Sequence, residues 1–252
     1  LGMVAAQNCT PDQLIHFWNL GMQHASAPFA KKHVQFTVWE RVAFLNGLIA
    51  GAKKKGGKLT ATHPDAHPLR NLIPLKSKLT PEELKEKYER RALPVDVVAD
   101  ISIRSTLRSA KNSVWAGLSL PRRFTAMELL GHTDFGFAGD TLLRLLTPRL
   151  ELVDIGLRTP DIQSAAVQAL GNLNDVRVGQ ALLEPEAWES FTPMVRESVL
   201  GIVTRSALHH PALIDALEKG TVPVHALSPA RRKSLERNKA IGARAKKLFA
   251  QH

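Results

Sequence analysis

Gly51-Ala-Lys-Lys-Lys-Gly56-Gly57-Lys58 is the stretch whose residue types come closest to a phosphate-binding loop. That loop needs Gly-Lys-Ser/Thr directly after four spacer residues, following a strand and opening a helix. Here Gly57 intrudes, Leu59 stands where a hydroxyl is required, and the preceding residues read as a helix. The lysines suit a helix exit, where cations complement the carbonyl end of the dipole. His63 and His67 flank Asp65 at a spacing that would put two imidazoles on one ion if the segment were helical, but Pro64 and Pro68 forbid the helix. His209-His210 precedes Pro211 at a helix entrance and has no third ligand nearby in sequence. Ser119 lies in Gly117-Leu-Ser-Leu-Pro121, which lacks the second glycine of a nucleophile elbow and reads as a helix entrance. Cys9 is the sole cysteine, so an internal disulfide and a thiolate metal cluster are both excluded. The carboxylates are scattered among caps and solvent positions and nominate no acid–base pair. The expectation is therefore no catalytic, cofactor or metal residue in this segment.

Charge is the more informative chemistry. The chain carries a formal net charge of +11, and residues 231–247 hold Arg231, Arg232, Lys233, Arg237, Lys239, Arg244, Lys246 and Lys247 against the single Glu236. We take Arg231, Arg232, Lys233, Arg237, Arg244, Lys246 and Lys247 as the candidate interaction residues. Gathered on one side of a terminal hairpin, they would contact phosphates through a sequence-independent electrostatic attraction. Trp18, Trp39, Trp115 and Trp188 sit in or beside apolar stretches and read as packing residues, so no stacking platform accompanies the cations.

The elements that would position these residues are written in their caps. Thr159-Pro160, Thr192-Pro193 and Ser228-Pro229 recur at 33 and then 36 residues. The hydroxyl accepts an orphan amide of the first turn, and proline supplies a helix-ready φ where no donor is needed. That period belongs to a helical-hairpin repeat. The first unit runs from Pro160 to a stop at Gly171 and continues through Val176–Leu183. The next pairs the Pro193 helix with Ala212–Leu217, stopped by Gly220. The last pairs the Pro229 helix with Ala240–Phe249. A helix from Pro121 to Gly131 repeats the Leu170-Gly171 ending 40 residues earlier, with Leu142–Leu146 as its partner, which makes about four paired units over 121–252.

Upstream, Thr10-Pro-Asp-Gln13 reads as a capping box opening a helix through Leu14, Phe17, Trp18 and Met22. A second helix covers about 34–52, with Val38, Val42, Leu45 and Ile49 as its buried stripe. Residues 59–79 show no periodicity and form a connection. Leu79-Thr80-Pro81-Glu82-Glu83-Leu84 starts a helix over about 81–92, ended by Pro94, and a further helix covers 95–109. The expected organisation is N-terminal helices with an irregular connection (1–78), a helical linking region (79–120) and HEAT-like repeats (121–252).

Apolar residues make up 44% of 252, enough for a substantial core, while aromatics are sparse. The pattern is all-α: an α-solenoid of stacked antiparallel helix pairs. No apolar run is long enough to span a bilayer, so membrane insertion by this segment is not expected. The chain starts Leu1-Gly2-Met3, and we expect it to be part of a longer polypeptide.

At 159–183, TPDIQSAAVQALGNLNDVRVGQALL resembles a HEAT repeat, with its Asp-x-x-x-x-Ala-Ala-x-x-Ala-Leu-Gly core followed by an Asn-Asp turn. With Trp39-Glu-Arg-Val-Ala-Phe-Leu-Asn-Gly-Leu48, Leu227-Ser-Pro-Ala-Arg-Arg232 and Arg244-Ala-Lys-Lys-Leu-Phe249, the arrangement is similar to the armadillo-like HEAT segment of planctomycete and verrucomicrobial multidomain proteins of the membrane-bound dehydrogenase or haem-binding CxxCH type. The resemblance implies a β-propeller before the helices, a cytochrome c domain after them, and a periplasmic or extracytoplasmic location. No Cys-x-x-Cys-His occurs here, so haem attachment and redox chemistry fall to absent neighbours. The expected role is a non-catalytic scaffold binding protein partners or neighbouring domains of the same polypeptide. The alternative is nucleic-acid binding through the basic C-terminal helices.

Overall fold

The computed structural model describes residues 9–10, 13–14, 18, 37–54, 79–89, 95–115, 119–146 and 160–251. Every regular element among them is helical, with no strand, and the chain divides into two compact units, 1–133 and 134–252.

In the first unit, α1 (Val38–Lys54), α2 (Pro81–Glu89), α3 (Val95–Ser113) and α4 (Leu120–Leu130) follow in order. The start of α1 is fixed by a capping box: Thr37 Oγ1 accepts from the Glu40 amide at 3.3 Å, and Glu40 Oε2 accepts from the Thr37 amide at 2.6 Å. The expected start near residue 34 was therefore early, because the Thr37–Glu40 signal outweighs the apolar residues before it. The same reciprocal bonds join Thr10 to Gln13 and Thr80 to Glu83, as their sequences require. Helix α1 buries Val42, Leu45 and Ile49 of the expected stripe, and packs with α3 and α4 in one core. Leu14 and Trp18 are buried, and the Trp18 indole donates to Ser102 Oγ. Asn46 Nδ2 donates to the Thr125 carbonyl at 2.9 Å and ties α1 to α4. The buried Arg123 donates from Nε to the Val114 carbonyl at 3.0 Å, closing the end of α3, which runs one turn beyond the expected residue 109. Burial pulls the Arg123 guanidinium below its ordinary pKa.

The second unit contains α5 (Phe135–Arg144), α6 (Pro160–Asn172), α7 (Val176–Leu182), α8 (Pro185–Ser190), α9 (Pro193–Arg205), α10 (His210–Glu218), α11 (Pro229–Glu236) and α12 (Gly242–Phe249). Helix α5 begins two turns before the expected Leu142, because Asp134 Oδ1 accepts from the Phe137 amide at 2.8 Å and opens the helix through Gly136 and Gly139. The Thr192 and Ser228 hydroxyls accept from Val195 and Arg231 amides, so two of the three recurrent caps act as read. Thr159 lies outside the described residues, as do Lys55 to Lys58, His63 and His67. Gly220 has φ 75°, the left-handed stop expected after α10.

Gly171 has a different function from the stop assigned to it. Helix α6 continues to Asn172, and the left-handed residue is Asn174, φ 54°. A Cβ at Gly171 would stand 2.7 Å from the Ile202 side chain, so the glycine is there to let α6 and α9 approach. These helices share the most extensive packing in the unit. Helix α5 also touches α6 and α7, α7 touches α10, α10 touches α12, and α11 pairs with α12. Ile162, Val167, Leu170, Val195, Val199, Val203, Leu213 and Ile214 are fully buried between them.

Candidate interaction surfaces

The basic C-terminal hairpin is built on two small apolar faces. Helix α11 buries Leu235, the turn buries Ile241, and α12 buries Gly242, Ala245 and Leu248, while most of the cations lie on the exposed positions. The seven candidate residues separate into two groups. Arg231 makes a two-pronged ion pair with Glu197 of α9, Nη1 to Oε2 at 3.0 Å and Nη2 to Oε1 at 2.5 Å. Arg244 bridges Asp215 at 2.7 Å and Glu218 at 2.6 Å, both on α10. Arg232 donates from Nε to the Leu227 carbonyl at 3.0 Å. Arg231 and Arg244 thus strap the last hairpin to the helices before it, while Arg232 fixes the turn leading into α11. The guanidinium of Arg231 holds Glu197 below the usual carboxylate pKa, and that of Arg244 does the same to Glu218. Lys233, Arg237, Lys246 and Lys247 are exposed, as is Lys239.

A groove opens under α8, a helix absent from the sequence-based expectation. Its signals are Pro185 at the first helical position and Glu186 in the first turn. Its far end is closed from α9: Arg196 donates to the Trp188 carbonyl at 3.1 Å and the Glu189 carbonyl at 3.0 Å, with its guanidinium 5.5 Å from the Trp188 ring centroid. Trp188 and Phe191 are thereby buried as anchors. The groove encloses about 570 Å³ and is lined by Leu143, Leu146, Ala181, Ala187 and Phe191, with Glu184, Glu186 and Ser190 at its edge.

His209 and His210 are both buried and act within the fold. The Thr204 carbonyl lies 3.0 Å from His210 Nε2 and can only accept, which places the proton on Nε2; Nδ1 then accepts from Asn238 Nδ2 at 2.9 Å. Asn238 Oδ1 accepts the Ala240 and Ile241 amides at 2.8 and 3.3 Å, so one amide side chain locks α10 to the turn between α11 and α12. His209 Nδ1 is buried beside Gly179 without a partner among the described residues. Burial, then neighbouring His210, lowers the His209 pKa, opposed by Asp175. Among the described residues no three His, Cys, Asp or Glu side chains gather as metal ligands. Ser119 precedes α4 and its side chain caps nothing, while Cys9 is half-buried. Trp18 and Trp188 are buried, and Trp39 and Trp115 half-buried. No helix among the described residues is long and apolar enough to cross a membrane.

The chain matches no protein-family model, no curated protein and no solved structure, so a HEAT-like reading rests on its own residues.

Proposed function

We propose that the second unit is a run of stacked antiparallel helix pairs of HEAT or armadillo type, acting as a non-catalytic scaffold that docks protein partners or neighbouring domains of the same polypeptide. The observation that carries this reading is the order of packing: α6 against α9, and α5 against α7, α7 against α10 and α10 against α12. Helix pairs that bury their faces mainly on the next pair leave an extended surface for recognition. The resemblance to multidomain haem-binding proteins supplies the context, an extracytoplasmic one, with cofactor chemistry in flanking domains. Two measurements test it. The reading frame on either side should encode a propeller upstream and a Cys-x-x-Cys-His domain downstream; a frame encoding neither removes the family. Cross-linking of the native protein in its source cells should join Lys219, Lys233 or Lys246 to another domain or protein. Purified chain that turns over a substrate and yields no such cross-links would overturn the scaffold reading.

The exposed Lys233, Arg237, Lys246 and Lys247 favour a second reading, phosphate-backbone binding to nucleic acid. With Arg231 and Arg244 engaged by carboxylates, the four exposed cations give a log–log salt slope of about −3.6 on duplex DNA. Binding that is absent or insensitive to salt eliminates this reading.

A further inference from the structure

We propose that the groove under α8 receives the apolar face of a basic amphipathic helix from a protein partner; this names the partner chemistry of the scaffold reading and rests on it. The lining is largely apolar, from Leu143, Leu146, Ala181, Ala187 and Phe191. Its volume of about 570 Å³ is within the range of sites that enclose several side chains. An amphipathic helix fills such a groove with anchors at i, i+3 and i+4.

Charge selects which helix. Glu184 and Glu186 edge the groove and Glu189 is exposed on the same short helix. None of the three carboxylates is engaged by a cation among the described residues. Asp175, Glu197, Asp215 and Glu218 of the same unit are, by contrast, engaged in ion pairs with arginines. The groove is thus a locally acidic edge on a chain of net charge +11, which favours a cationic helix there. A second copy of this chain cannot supply the occupant through its own basic helix α12, whose apolar residues Gly242, Ala245 and Leu248 are already buried at home.

The probe is a fluorescein-labelled peptide of about 18 residues, leucine along one face and lysine elsewhere, long enough to hold a helix. A scrambled peptide of identical composition has the charge without the stripe. Anisotropy with the full chain should show the patterned peptide binding at least about tenfold more tightly than the scrambled one. The paired reversal E184K/E186K, at exposed positions, should weaken the patterned peptide about tenfold or more, and A187W should do the same by filling the groove without altering charge. Circular dichroism should show both variants folded; the charge reversal keeps the test decisive if A187W is not. Equal binding of the two peptides, no binding of either, or binding unchanged by E184K/E186K would overturn the proposal. Those outcomes leave the cross-linking and reading-frame tests of the scaffold standing, so the two failures are separable.

Discussion

Replacing Gly171 with alanine should destabilise the second unit, and Ile202→Ala should reverse the sign of that effect. Alanine gains about 1 kcal/mol of helix propensity over glycine. Against this, its Cβ would meet Ile202 Cδ1 and Cγ2 at 2.7 Å and Cγ1 at 2.9 Å. Two of those atoms branch from Cβ, whose χ1 is stiff, so relief requires α6 and α9 to separate. Overpacking of this kind costs about 1–3 kcal/mol, which leaves a net loss of about 0–2 kcal/mol. Ile202 is 1% exposed, and its truncation alone costs about 2–5 kcal/mol. In the double variant the clash is gone and the new methyl fills part of the cavity, so it should be about 1–3 kcal/mol more stable than the sum of the singles. Urea unfolding followed by circular dichroism gives the four stabilities, and hydrogen exchange in α6 and α9 localises the loss. Additivity within about 0.5 kcal/mol would refute the claim that glycine is there for close approach.

His209 is held neutral by burial, with a folded pKa below its unfolded value. The unfolded chain therefore binds the extra proton first, and stability is full above about pH 6.5 and falls as the pH drops below it. Urea midpoints at pH 7.5 and 5.5 should show wild type losing stability relative to His209→Leu on acidification; an unchanged difference, or a relative gain by wild type, contradicts the assignment. Gly242→Ala should cost about 1–3 kcal/mol, because a Cβ there runs into the Glu236 backbone carbonyl, an obstacle that cannot rotate away. A thermal midpoint unchanged from wild type would contradict it. Thr192→Ala should cost about 1 kcal/mol through loss of the Val195 amide bond, with Thr192→Ser restoring it in the same melt.

Caps and stripes carried the legible part of the fold. Thr10, Thr80, Thr192 and Ser228 each cap a first turn, because that bond is local and depends on residues three apart. The helical character of the whole was legible for the same reason. Gly171 was misread since a glycine near a helix end looks alike whether it terminates the helix or admits a neighbour, and only Ile202, 31 residues on, distinguishes them. Helix α5 extends seven residues ahead of the expected Leu142 because the Asp134 cap starts it through two glycines, which the apolar pattern alone does not mark as helical. The groove was invisible because α8 is six residues long and owes its position to Arg196 on the following helix. The basic cluster was counted correctly, but charge counting could not tell that Arg231 and Arg244 already face carboxylates one hairpin earlier.

Those two arginines have a consequence for the molecule in concentrated electrolyte. The terminal hairpin buries Leu235, Ile241, Ala245 and Leu248, and ion pairs exposed to solvent weaken as the Debye length contracts. Concentrated salt therefore loosens the arginine part of the clasp on α9 and α10, while the His210–Asn238 bond and the buried Leu235 and Leu248 keep the last two helices seated.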